Sequence, residues 1–350
     1  MVAVAGTHGK TTTTVMVTEA LAAAGRDPTG LAGGRVARWG GNARVGGREL
    51  YVVEADEYDR AFLSLAPTIA VVNNVEADHL ECYDGSVAAL EQAFAQFASR
   101  AGRVIAGGDD AGAQRVMAAV GAPVWRVGLG ADADVRITEL ELDQEGSTAR
   151  IELPDGRALA LRLRVPGVHN VRNAAAALAV AHELGADLER ALAALAQFTG
   201  VGRRFERVGE ARGVTVVDDY AHHPTEVQAT LAAARQAFPR RRVVAVFQPH
   251  LFSRTALHGE ALGRALAAAD VVVVAPIYGA REQPLPGVTA ALVARGAVRA
   301  GATTVALRER ATLTERVAET VQAGDVVFTL GAGDITRVGP ELLARLGTGA

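Results

Sequence analysis

The chain has 350 residues, 49% hydrophobic and 21% charged, with a formal net charge of −3 and a single cysteine, Cys82. That balance describes a soluble globular protein with apolar mass for two domains, and it excludes a disulfide framework or a cysteine-rich metal site. No run of one charge sign marks a nucleic-acid or anionic-membrane partner, no apolar stretch reaches the roughly 20 residues of a membrane span, and no export signal is visible, so a cytoplasmic enzyme is expected.

The chain opens on a short apolar strand that runs into Gly6-Thr7-His8-Gly9-Lys10-Thr11-Thr12 and then a helix starting at about Lys10. Gly6 and Gly9 leave room for backbone N–H groups to converge on an anion, and the helix N-terminus adds partial positive charge. Lys10 can reach terminal phosphate oxygens, and the Thr11 hydroxyl is placed to hold Mg²⁺. The spacing departs from G-x-x-x-x-G-K-[ST], because Ala5 and Val4 stand where the earlier glycine belongs. Lys10 is nevertheless the only lysine of the chain, at the one position where a compact ammonium serves and a planar guanidinium does not.

The helix is expected to stop near Gly25. The glycine-rich stretch from Gly30 to Gly47 reads as a flexible connector or a backbone surface for a ligand. Buried strands at 50–53 and 69–72 end in Glu54-Ala55-Asp56-Glu57-Tyr58-Asp59 and in Asn73-Asn74-Val75-Glu76-Ala77-Asp78-His79. If these strands are neighbours beside the loop, a carboxylate and an imidazole face the terminal phosphates, as a Mg²⁺ site requires. A helix at 86–100 and a strand at 103–106 continue a βα rhythm that indicates a parallel sheet with helices on both faces.

Alternating residues from about 134 to 165, with a Pro154-Asp155-Gly156 turn, predict a small antiparallel hairpin region. Pro166 to Asn173 opens an alanine-rich helix, where Asn170 and Asn173 serve either as caps or as readers of an adenine edge. A short helix at 187–197 leads to a domain boundary near 199–200. Strands at 214–218, 243–247, 271–275 and 326–330 then build a second α/β domain with polar strand ends. Arg203-Arg204 is a solvated pair or a cation for a γ-phosphate. His222 and His223 lack a third ligand at metal spacing and read as substrate or phosphate contacts. His250, Arg254 and Arg281 form a cationic rim suited to a carboxylate.

On Gly6–Thr12, Gly41-Asn42-Ala43-Arg44, Glu54–Glu57, Asp78-His79, Gly167-Val168-His169-Asn170, Arg203-Arg204-Phe205, Asp218-Asp219-Tyr220-Ala221-His222-His223-Pro224-Thr225-Glu226 and Phe247-Gln248-Pro249-His250, the chain resembles the Mur ligase family over nearly its whole length. The resemblance implies a central ATP-binding domain at 1–199 with a P-loop-like parallel sheet, and a C-terminal Rossmann-like domain at 200–350 carrying the amino-acid site. It also implies a UDP-sugar-binding N-terminal domain, to be supplied as a separate chain or lost by truncation.

By position, Gly6, Thr7, His8, Gly9, Lys10, Thr11 and Thr12 are expected to cradle ATP, with Asn170 or Asn173 at the adenine. Thr11, Glu54 and His79 are expected to hold Mg²⁺. Arg204, Asp219 and His222 are expected to serve the nucleotide and incoming amino acid from the second domain, with Arg254 at the amino acid's carboxylate. Lys10, Arg204, His222 and Arg254 are the expected catalytic set. The carbamylated lysine of several relatives is impossible here, since no second lysine exists. The implied reaction joins L-alanine to UDP-N-acetylmuramate through an acyl phosphate. Glu57-Tyr58-Asp59 leans toward the branch that recycles murein tripeptide, whereas Pro224-Thr225-Glu226 and Gln248-Pro249-His250 lean toward alanine addition. A non-catalytic ATP-binding fragment is the remaining alternative.

Overall fold

The computed structural model describes residues 1–348 and divides into two compact units, Met1–Val201 and Gly202–Ala350. The first unit is built on strands β1 (Val2–Ala5), β2 (Thr29–Val36), β3 (Gly41–Arg44), β4 (Tyr51–Glu54), β5 (Ile69–Val72), β6 (Arg103–Gly107), β7 (Val124–Gly128), β8 (Val135–Asp143), β9 (Gly146–Glu152) and β10 (Ala158–Leu163). Its helices are α1 (Lys10–Ala23), α2 (Val87–Ala98), α3 (Ala111–Met117), α4 (Val168–Glu183) and α5 (Leu188–Leu195).

The ten strands form one sheet in the order β10-β9-β8-β7-β6-β5-β1-β4-β2-β3. From β8 to β2 neighbouring strands run parallel, while β3 and the β8-β9-β10 meander pair antiparallel. Alternation along β1 sends Val2 and Val4 into the core beneath α1, α4 and α5, and Ala3 and Ala5 into the core beneath α2 and α3. The sheet is therefore covered on both faces. This all-apolar run is why β1 reads as a strand with no polar alternation.

The second unit contains β11 (Glu206–Ala211), β12 (Val214–Asp219), β13 (Val243–Phe247), β14 (Val271–Val274), β15 (Val305–Leu307) and β16 (Val326–Leu330), ordered β11-β12-β16-β13-β14-β15. Only β11 is antiparallel. Helices α6 (Pro224–Ala237), α7 (Phe252–Leu266) and α8 (Ala291–Arg299) cover one face, and α9 (Leu313–Thr320) and α10 (Val338–Thr348) the other. Among the described residues no helix is long and apolar enough to cross a membrane.

Two expectations change. The stretch from Gly30 to Gly47 is not a flexible connector, because β2 and β3 pair in it to form one edge of the sheet, Leu31 opposite Ala43. Strands β4 and β5 are not neighbours of each other; they flank β1, with Val4 opposite Glu54 on one side and Ala5 opposite Val72 on the other. The antiparallel region expected at 134–165 is the β8-β9-β10 meander, which joins the main sheet where Val127 pairs with Val135. The strands β7, β11 and β15 and helix α3 lack strong periodicity and escape a reading by pattern.

Candidate active site

In the first unit the chemistry gathers around the turn between β1 and α1. Gly6 (φ +130°) and Gly9 (φ +79°) occupy backbone conformations that side chains resist. A Cβ on Gly6 would stand 3.0 Å from the Asn73 amide nitrogen, and one on Gly9 would stand 2.9 Å from Asn173 Oδ1. The loop thus threads a space only glycine fits. Gly9 caps α1 without any side-chain hydrogen bond, and no acidic residue sits in the first turn. The first helical bond runs from Thr13 N to Gly9 O, so the amides of Lys10, Thr11 and Thr12 precede it without intrahelical acceptors. That is the donor set an anion needs, and this cradle fits a nucleotide's phosphates.

The loop is stitched to the end of β5. The Thr7 amide donates to Asn74 O (3.1 Å), the Glu76 amide donates to Thr7 Oγ1 (2.8 Å), and the His8 amide donates to Asn74 Oδ1 (2.7 Å). Asn73 Nδ2 donates to Thr13 Oγ1 (3.0 Å), and the His8 ring lies 3.6 Å from a Glu76 carboxylate oxygen. Thr12 is buried in the first turn of α1.

Lys10 Nζ turns back over the loop and donates to Gly6 O (2.8 Å) and to both Glu57 oxygens (2.7 and 2.9 Å), with Asp56 Oδ1 at 4.0 Å. Burial pulls the ammonium's pKa down, but the carboxylates of Glu57, Asp56 and Glu54 more than offset it and leave it raised. Lys10 is therefore firmly charged. Thr11 Oγ1 donates to Glu54 Oε1 (3.1 Å), whose other oxygen accepts from the Gly33 amide (2.5 Å). A hydroxyl and a carboxylate held together beside a phosphate cradle are hard oxygen donors of the kind Mg²⁺ takes.

His79 follows β5, on the other side of β1 from Glu54. It makes no hydrogen bond or ion pair with Thr11 or Glu54 among the described residues; its nitrogens lie 3.8 Å from Asp78 Oδ2 and 3.5 Å from Glu81 Oε1. Asn173 packs on the loop at Gly9, whereas Asn170 donates to Pro166 O (2.7 Å) at the entry of its own helix α4.

In the second unit the predicted residues gather at the carboxyl ends of β12 and β13. Asp219 is buried and accepts from the Phe205 and Ala221 amides, both at 2.8 Å. Burial raises its pKa to about 6, against the lowering influence of Arg204 and those two amides. Arg204 lies over the Tyr220 ring (5.0 Å) and 3.8 Å from Glu226 Oε1. Its neighbour Arg203 is structural, bound to Asp218 Oδ2 (2.9 Å) and Gly331 O (2.7 Å). His222 Nδ1 sits 3.2 Å from Glu226 Oε2, and its ring lies 6.2 Å from that of His250. Arg254, buried at the start of α7, places Nη1 3.4 Å from His250 Nδ1. Arg281 is exposed.

The Mur ligase middle-domain model matches residues 4–181, and the model described as Mur ligase, glutamate ligase domain, matches residues 203–333. The chain belongs to the Mur ligase family. It is 46% identical over 99% of its length to the UDP-N-acetylmuramate–L-alanine ligase of Salinibacter ruber, covering 73% of that protein. To the ligase of the same name from Kineococcus radiotolerans it is 49% identical over 99% of its length, covering 74%. Among solved structures it is similar to the UDP-N-acetylmuramate-alanine ligase of Thermotoga maritima, with a TM-score of 0.81 and 28% identity over 99% of this chain and 74% of that one. It is also similar to a murein peptide ligase from Psychrobacter arcticus, with a TM-score of 0.73 and 26% identity over 100% of this chain and 78% of that one.

Pattern reading of this Mur ligase passed over Asn73 and Asn74 as site residues, and it gave Glu57 no partner. The signal present was an Asn-Asn pair directly after a fully buried strand, where a polar pair has no core role. Gly33, whose amide holds Glu54, was not singled out within the stretch from Gly30 to Gly47 read as a connector or a backbone surface for a ligand.

Proposed function

We propose that this Mur ligase joins L-alanine to UDP-N-acetylmuramate at the expense of ATP, in the cytoplasm, as a step of peptidoglycan precursor synthesis. The observation that carries the reading is the glycine-bounded cradle with a charged Lys10 and the Thr11–Glu54 pair at its mouth. It stands in a chain 46–49% identical to two alanine ligases over 99% of its length. In the reaction a muramoyl carboxylate oxygen bonds to the γ-phosphorus as the bond to ADP breaks. The alanine amine then attacks the acyl carbon, and inorganic phosphate leaves.

Residues 1–199 are assigned the nucleotide and 200–350 the amino acid. The loop amides and Lys10 hold the triphosphate and offset the charge that builds on the transferring phosphoryl group. Thr11, Glu54 and His79 are the residues that would hold Mg²⁺, which supplies further electrostatic stabilisation of that charge when bound. Asn170, whose Nδ2 donates to Pro166 O, or Asn173, which lies beside Gly9, is the candidate for the adenine edge. Arg254 with His250 presents a cation to the amino acid's carboxylate. Arg204, Asp219 and His222 are proposed to act on the reacting groups. The grip on the UDP-sugar is assigned to a further domain outside these 350 residues, on the same or another polypeptide.

A second reading, ligation of murein tripeptide, rests on the likeness to the Psychrobacter arcticus enzyme. Phosphate release is measured with ATP, Mg²⁺ and UDP-N-acetylmuramate or free N-acetylmuramate-type acceptors, together with a UDP-binding domain from a relative. Release with L-alanine alone is the expected result. Release only with tripeptide supports the second reading, and none with either amine identifies a nucleotide-binding fragment.

A further inference from the structure

The fold brings together two segments from opposite sides of β1, one of which reaches the Lys10 ammonium. Glu57 follows β4 and Tyr83 follows β5, and these strands flank β1 without touching each other. Tyr83 is fully buried in the core beneath α2 and α3, and its hydroxyl donates to the Glu57 backbone oxygen at 2.6 Å. Glu57 is itself only 1% exposed, yet both of its carboxylate oxygens point at Lys10 Nζ. Arg60 braces the same junction: its guanidinium lies 5.0 Å over the Tyr83 ring, and its Nε donates to Cys82 O at 3.2 Å.

Around this junction four non-glycine residues, Asp59, Arg60, His79 and Asp84, have φ between +51° and +55°. Such conformations persist only where surrounding contacts over-determine them, and they cluster where geometry must be exact. A lysine stem has four rotatable bonds and a strongly hydrated head, so an unbraced ammonium spreads over many positions. Here two loop carbonyls, Gly6 O and Thr7 O, hold one side and Glu57 holds the other.

We infer that Glu57 and Tyr83 are positioning residues for Lys10: Tyr83 anchors the Glu57 backbone, and Glu57 fixes the ammonium over the phosphate cradle before nucleotide arrives. This deepens the ATP reading above and rests on it for its consequence, though not for its geometry. Because Lys10 is the sole lysine, ¹⁵N-lysine labelling yields a single side-chain ammonium signal without assignment. In the nucleotide-free chain that signal is expected to be ordered and slow to exchange its protons. Tyr83→Phe keeps the ring and removes only the donor, and it is expected to raise the ammonium's proton exchange at least fivefold, with Glu57→Gln doing the same.

Both variants are further expected to weaken ADP binding about tenfold and to leave adenosine binding unchanged, a split that general loss of structure does not produce. An ammonium signal as ordered in both variants as in the parent overturns the inference. So does a Glu57→Gln chain that binds ADP as tightly as, or more tightly than, the parent, since Glu57 is then a competitor of phosphate and not its guide. A parent chain that binds neither ADP nor adenosine overturns the nucleotide reading instead, while the ammonium signal still decides whether Glu57 and Tyr83 position Lys10.

Discussion

Thr11 Oγ1 donates to Glu54 Oε1 across 3.1 Å, tying the first turn of α1 to the last residue of the neighbouring strand β4. The bond joins the two oxygen donors proposed for the divalent ion. Replacing Glu54 by glutamine keeps the shape and removes the charge. Titrations of ADP with and without Mg²⁺ are expected to show a Mg²⁺-dependent gain of tenfold or more in the parent. In Glu54→Gln that gain is expected to fall below about twofold, with metal-free binding retained. A variant whose affinity still responds fully to Mg²⁺ would remove Glu54 from the ion.

Lys10 and Glu57 form a pair that is costly to break from one side. Lys10→Met leaves a buried carboxylate without its partner and is expected to cost about 3 kcal/mol in urea unfolding. The double variant Lys10→Met with Glu57→Gln is expected to recover most of that loss while binding ADP no better. Losses in Lys10→Met and in Glu57→Gln that simply add in the double variant would show that the pair is not coupled.

Gly9 carries φ +79°, and a Cβ there would meet Asn173 Oδ1 at 2.9 Å and Asn73 Nδ2 at 3.1 Å. Gly9→Ala is expected to destabilise the chain by about 1–2 kcal/mol through backbone strain. ADP affinity should drop more than tenfold, because the displaced loop no longer aims its amides. Calorimetry of ADP binding beside thermal unfolding separates the two effects.

Asp219 makes stability depend on pH in an unusual direction. Its folded-state pKa is raised to about 6 from an ordinary 3.8, with burial as the leading cause. Between those values the folded chain keeps a proton that the unfolded chain has released, so this group's contribution to stability falls as pH rises. Above pH 6 the ionised carboxyl costs up to about 3 kcal/mol. Asp219→Asn is expected to gain stability relative to the parent steadily from pH 4 to pH 6 and then level off. A difference that is flat across that window contradicts the raised pKa.

The amino acids alone determine the strand, the glycine turn, the lone lysine and the helix that follows, because each is set by residues within a dozen positions of one another. They likewise place Glu54, His79, Asp219, His250 and Arg254 just beyond apolar strands, where the carboxyl edge of a parallel sheet presents polar groups. Tertiary structure decides which of these meet. Strand order puts β4 and β5 on opposite sides of β1, so Glu54 reaches Thr11 and Glu57 reaches Lys10 from one side, while Asn73 and Asn74 grip the loop from the other. The same order turns the stretch from Gly30 to Gly47 into a sheet edge whose Gly33 amide holds Glu54. Spacing along a chain governs contacts within an element, but contacts between elements follow from strand pairing over tens of residues, which no local pattern encodes.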